Sequence, residues 1–293
     1  MTHIQVVSGA IQNSDADTII VNLFEDTQPG GATSAVDTAL NGAISALIAG
    51  GDFTGKAGQT VVLYPGGAIP ARRVLIVGLG QRDHFDADPA EAVRRAAATA
   101  IQKARDLGAE RVATILHGAG AGGLSAEVAA QAVVEGSLLG LYRYHGQKTE
   151  PPKPPDPHTL ELTVFEPTDL PAVQRGAHTA ETIAAGVVLT RDLVNLPPNI
   201  CTPTYLAQTA TQVADEVGLR VEVLGRKQME ALKMGALLAV AQGTDTPPQF
   251  IILEHNADRA EDLDTIVLVG KGVTFDTGGY SLKSKEGMST MKT

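Results

Sequence analysis

Residues 269–293 read VGKGVTFDTGGYSLKSKEGMSTMKT. The apolar, β-branched run at 265–269 leads into this stretch and predicts a buried strand ending near Gly270. Beyond it stand Lys271, Asp276 and Lys283, interleaved with Gly272, Gly278 and Gly279. In open α/β sheets, ligands sit outside the carboxyl ends of such strands, and glycines let backbone approach them closely. A carboxylate is a hard oxygen donor suited to zinc, manganese or magnesium. A lysine amine coordinates a metal only after losing its proton. A lysine that keeps its proton can polarise a carbonyl and hold a developing oxyanion. The same spacing also reads as Lys271 and Asp276 pairing across a surface turn, an exposed ion pair of little consequence.

Upstream, residues 171–195 predict a long helix whose buried face carries Ile183, Val187 and Val194, with Thr190 filling the gap in the stripe. Leu196-Pro197-Pro198-Asn199 ends it, and residues 204–217 form the next helix, with Thr202 and Pro203 at its start. Residues 220–224 and 249–254 are strand candidates. Residues 150–158 read EPPKPPDPH, and proline fits neither a helix interior nor a central strand. This stiff stretch predicts the domain boundary: 1–155, a connecting segment at 156–170, and 171–293.

The N-terminal half alternates strand-like runs at 4–7, 18–24, 60–64, 73–77 and 111–116 with helical stretches at 34–48, 89–107 and 125–144. The helix at 89–107 has Asp88 as N-cap, proline at its first position and Gly108 after its end. Residues 160–165 add another strand. Strands separated by helices of this length imply a mostly parallel or mixed sheet covered by helices.

Apolar residues make up 43% of the 293 and charged residues 19%, which is ample core material and excludes disorder over most of the length. No apolar run approaches the roughly 20 residues of a membrane span. The start lacks the basic and apolar regions of a secretory signal, so the expected compartment is the cytoplasm. The formal net charge is −10 with no basic stripe, which makes nucleic acid an unlikely partner. One cysteine, Cys201, excludes an intrachain disulfide and thiolate zinc sites.

Two glycine motifs read as ordinary turns. Residues 118–123 fit G-x-G-x-x-G after a strand, but no acidic residue follows a second strand about 20 positions on. Residues 50–56 have the phosphate-loop spacing, but they follow a helix, and Ala57 stands where magnesium needs a hydroxyl.

The 269–283 segment resembles the core V-G-K-G-x-x-F-D-S/T-G-G-x-S-L-K of the leucyl aminopeptidase family of dinuclear metallopeptidases. Arg191-Asp192-Leu193-Val194-Asn195, then Pro197-Pro198-Asn199 and Thr202-Pro203, is similar to the family's R-D-L-x-N-x-P-x-N-x-x-T-P. Glu135-Gly136 and residues 139–142 resemble the last helix of its smaller domain. The resemblance implies an N-terminal macro-like α/β domain, followed by the first part of a zinc-exopeptidase-type α/β/α catalytic domain. It also implies hydrolytic release of N-terminal residues, preferentially leucine, from peptides by two divalent ions, manganese or zinc. Lys271 would then be a metal ligand, Asp276 a bridge between the metals and Lys283 the catalytic electrophile. Met291 would line the pocket for the substrate's first side chain.

The chain departs from the family pattern at its end. The family continues with a ligand aspartate in D-M-x-G-A-A and two more carboxylates and an arginine in D-A-E-G-R-L, whereas this sequence stops at Thr293. The resemblance therefore implies a C-terminally truncated fragment, inactive alone, with an exposed sheet edge. The family also implies a hexameric homo-oligomer. The competing readings are a nucleotide-binding or regulatory module in the first 150 residues, and a non-catalytic subunit that serves assembly.

Overall fold

A computed structural model of the chain describes residues 2–292. These fall into two compact units divided between Leu189 and Thr190.

The first unit is built on a six-stranded sheet. In chain order its elements are β1 (His3–Ser8), β2 (Thr18–Phe24), α1 (Gly31–Ala39), α2 (Ala43–Ala49), β3 (Thr60–Leu63) and β4 (Arg73–Gly80). Then come α3 (Arg82–Ala87), α4 (Pro89–Asp106), β5 (Arg111–Thr114), α5 (Ala126–Leu141), β6 (Thr159–Val164) and α6 (Leu170–Asn195), the last of which runs on into the second unit. The strand order is β1-β6-β5-β2-β4-β3, parallel throughout except for the β3 edge. Helices cover both faces, so β4 loses its polar side and reads as a near-continuous apolar run, while Asn22 interrupts β2, and Glu161 and Thr163 are buried on β6. Ile20, Leu75 and Val77 pack under α4 and α5, while Ile19, Val21, Val74 and Ile76 meet Val36, Ile44 and Phe53 on the opposite face.

Helix ends follow local chemistry. The Asp88 side chain accepts from Glu91 N at 3.1 Å ahead of Pro89, and Gly108 leaves α4 with φ of 71°. Ser125 caps α5, accepting from Val128 N. The single helix expected over 34–48 is two. Asn41 and Gly42 take positive φ, 54° and 83°, and Asp37 then caps α2 by accepting from Ile44 N and Ser45 N. An Asn-Gly pair is a turn signal, and here it outweighs the apolar run around it.

β6 follows the Pro-rich stretch immediately and inserts between β1 and β5. One further expectation is corrected. The buried stripe of α6 is Val173, Gly176, Ala177, Ala180 and Ala184, while Ile183 is exposed and Val187 and Val194 are half-buried. Small residues win that face because α6 lies against α5: a Cβ on Gly176 would stand 2.2 Å from Glu127 O.

The glycines at 118–123 serve packing. A Cβ on Gly118 would meet Val93 and Leu124 within 3 Å, and Gly122 lies against the Phe85 ring. Ahead of them His117 is 1% exposed, accepting from the Asn22 amide at Nδ1 (2.9 Å) and meeting Thr114 Oγ1 at Nε2 (3.1 Å). Burial pulls its pKa from 6.5 down to about 4. Between those values the unfolded chain binds the proton and the folded chain does not. Stability is therefore full above about pH 6.5 and falls as pH drops toward 4, by about 3 kcal/mol. Urea midpoints at pH 7.5 and 4.5 check this: His117→Asn should flatten the pH dependence. An unchanged slope would remove His117 as its source.

In the second unit, β7 (Arg220–Leu224) and β8 (Phe250–Glu254) form an antiparallel pair. Around them are α7 (Pro203–Val217), α8 (Arg226–Ala231), α9 (Gly235–Ala241) and, late in the chain, α10 (Lys285–Ser289). The strand expected over 265–269 is not formed. Ile266, Val267, Leu268 and Val269 are 74–93% exposed, because no strand among the described residues offers them a ladder. The apolar pattern marks a segment fit for burial, but burial on both faces needs neighbours.

No helix among the described residues is long and apolar enough to cross a membrane.

Candidate metal-ligand and catalytic segment

The loop after residue 270 coils around one carboxylate. Asp276 Oδ1 accepts from Gly278 N at 2.8 Å, and Lys283 N returns to Thr277 O at 3.0 Å. Gly278, Gly279, Tyr280 and Ser281 all take left-handed backbone, with φ from 48° to 82°. Two successive glycines make that turn accessible, and Gly278 lies where a Cβ would be 2.9 Å from Lys283 Cγ.

This coil brings three of the expected site residues together. Lys283 Nζ is 3.1 Å from Asp276 Oδ2, and Lys271 Nζ is 3.8 Å from the same oxygen. The Gly278 N–H and then the Lys283 ammonium hold the Asp276 carboxyl below its usual range. The lysine side chains differ in setting: Lys271 is 75% exposed and Lys283 is 26% exposed. Met291 is half-buried just past α10, and the bonds that join the other three do not reach it among the described residues.

Two features here carry no local sequence signal. Lys292 Nζ donates to the carbonyl of Leu196, tying the end of the segment to the Pro197-Pro198 turn. Cys201 is buried beside it: burial raises the thiol pKa and the Lys292 charge partly offsets that. A protonated, buried thiol is a poor nucleophile.

A manganese or zinc ion takes about four or more donors. The loop offers one carboxylate, already bonded, and amines that serve as ammonium partners to it. No group of three His, Cys, Asp or Glu side chains gathers among the described residues. The residues present do not by themselves fit a metal pair.

Sequence comparison identifies the family. The catalytic-domain profile of the cytosol aminopeptidase family matches residues 188–293, and the family's N-terminal-domain profile matches residues 20–151. The chain belongs to the cytosol aminopeptidase family. Probable cytosol aminopeptidases of Ralstonia nicotianae and Burkholderia lata are each 42% identical to it, over 97% and 94% of this chain but 56% and 54% of their own. Among solved structures, a mutant of tomato leucine aminopeptidase superposes with a TM-score of 0.71 at 30% identity, over 86% of this chain and 50% of that one. A bottromycin maturation enzyme, BotP, in complex with manganese gives 0.62 at 26% identity, over 81% and 45%. This member of the cytosol aminopeptidase family thus spans about half the length of the curated relatives it matches.

Proposed function

We propose that the chain carries the N-terminal unit and the first part of the catalytic unit of a dinuclear metal-dependent aminopeptidase. That enzyme releases N-terminal residues, leucine preferred, from peptides. The observation that carries this reading is the convergence of Lys271 and Lys283 on one carboxylate, Asp276, within the segment that matches the family's catalytic domain. In the assignment, Lys271 and Asp276 belong to the metal pair, manganese or zinc. Lys283 stays protonated and faces the scissile carbonyl, and Met291 lines the pocket for the first side chain. The reading carries with it a cytoplasmic location and a homo-oligomer, a hexamer in the complete enzyme.

Because the donors present do not fit a metal pair, the 293 residues alone are expected to be inactive. Hydrolysis of leucine p-nitroanilide with added Mn²⁺ or Zn²⁺ should stay at the enzyme-free rate. A fusion of this chain to the remaining C-terminal part of the Ralstonia relative should turn it over. Activity of the chain alone would show that the donor count is wrong. A fusion that folds and binds metal but leaves the substrate intact would overturn the peptidase reading.

A further inference from the structure

In the first unit a cavity of about 490 Å³ opens at the carboxyl ends of β2 and β4. These strands are parallel neighbours, but the chain leaves them toward opposite faces of the sheet. After β2 it enters α1, whose Val36 packs on one face; after β4 it reaches α4, whose Val93 and Ala96 pack on the other. That divergence is a topological switch point, the place where open α/β sheets bind ligands.

The walls of the cavity are held by backbone. The 55–59 loop is laced to β4 by Gly80 N to Gly55 O (2.9 Å), Gly58 N to Gly78 O (3.1 Å) and Gly78 N to Gln59 O (2.9 Å). A Cβ on Gly78 would stand 2.0 Å from Lys56 O, so this approach requires glycine. On the other side Glu25 N donates to Gly80 O at 2.9 Å. Lys56 and Glu25 are thereby fixed on two backbone strands that meet the same end of β4.

Neither side chain has an ion-pair or hydrogen-bond partner among the described residues, although both line the cavity. The other charges there are engaged: Arg95 pairs with Glu91 at 2.8 Å, and Asp88 caps α4. Leu79, Phe85 and Ala96, each at most 4% exposed, give the cavity an apolar floor. Single charges of opposite sign above an apolar floor match a ligand with a cationic end, an anionic end and an apolar side chain. The carboxylates at the rim disfavour a polyphosphate.

We propose that this cleft binds a small zwitterion of the amino-acid or short-peptide class, its ammonium at Glu25, its carboxylate at Lys56 and its side chain on the Leu79–Phe85–Ala96 floor.

Calorimetric titration of the full 293-residue chain tests this with leucine, leucyl-leucine, N-acetyl-leucine, leucinamide and ADP-ribose. Leucine or leucyl-leucine should give saturable heat, the better of the two setting the ligand's length. Blocking either terminus should weaken binding about tenfold or more, the worth of a charge-assisted contact. In Lys56→Ala the gap between leucine and leucinamide should close, and in Glu25→Gln the gap between leucine and N-acetyl-leucine should close. Both residues are exposed or half-exposed, so the variants should keep the parent melting curve. Lys283→Ala should leave these affinities unchanged, which separates this cleft from the proposed peptidase site. Equal binding of blocked and free ligands, no saturable heat from either zwitterion, or ADP-ribose binding in their place would overturn the assignment.

Discussion

Lys283→Ala, made in the fusion that carries the remaining family ligands, is expected to lower kcat about 10²–10³-fold, the usual cost of losing one donor to a developing oxyanion. Lys283 is the less exposed of the two lysines around Asp276, and its ammonium already sits 3.1 Å from that carboxylate. A side chain held this way can offer a fixed positive charge to a second oxygen with little reorganisation. Metal content, read by elemental analysis, should stay near two ions per chain in the proposed dinuclear enzyme, because Lys283 is not assigned as a ligand. Lys271→Ala should differ by lowering metal occupancy together with rate. If Lys283→Ala keeps parental kcat, its role is wrong. If it loses metal in parallel with rate, it belongs with the ligands.

The second large effect concerns stability. Glu135 lies on α5, 4% exposed, and accepts from Arg94 Nε on α4 at 2.5 Å and from Gln131 Nε2 at 2.6 Å. Glu135→Ala would leave both donors facing a buried gap. Removing one partner of a fully buried pair costs about 3–5 kcal/mol. Arg94 is one-third exposed and also has Glu91 at 3.7 Å, so a loss of about 2–3 kcal/mol is expected here. For a unit of this size that corresponds to a drop of roughly 5–10 °C in Tm. Glu135→Gln keeps an acceptor and should lose less. Equal melting of Glu135→Ala and the parent would mean water replaces the carboxylate without penalty. The pair sits beside Gly136, where a Cβ would be 2.2 Å from Arg94 O, so the two helix backbones touch there and the ion pair closes the edge of that contact.

Much of the first unit is legible in sequence because its signals are local. The β-branched runs of β2 and β4 mark them as strands, and Asp88-Pro89 with Gly108 brackets α4 closely. Errors arise where distant partners decide. The α6 stripe is made of Gly and Ala, which carry little hydrophobic signal but permit the close approach to α5. Nothing local to the proline stretch reveals that the strand after it inserts between β1 and β5. Residues 265–269 have the composition of a core strand, but composition cannot supply the neighbouring ladder.

The candidate site divides in the same way. Lys271, Asp276 and Lys283 lie within 13 positions, so one glycine-rich turn suffices to gather them. The bond from Lys292 to Leu196 spans 96 positions and has no local sign. The Glu25–Lys56 cleft is equally hidden: its charges lie in separate loops, and only the lacing of both to the end of β4 makes them one site.

The placement of β6 also orders the way the first unit is made. Among the described residues β1 pairs only with β6, with His3 opposite Thr159 and Ser8 opposite Val164. The earliest strand of this sheet therefore waits for the last one during synthesis. At about 5–20 residues per second, that is an interval of roughly 10–30 s. During it the β6 side of β5 and the whole of β1 are open edges, and closing them joins the most distant contacts in the unit, a slow step for any chain. A ribosome paused before β6 would hold a sheet of at most four paired strands, with β1 still unpaired.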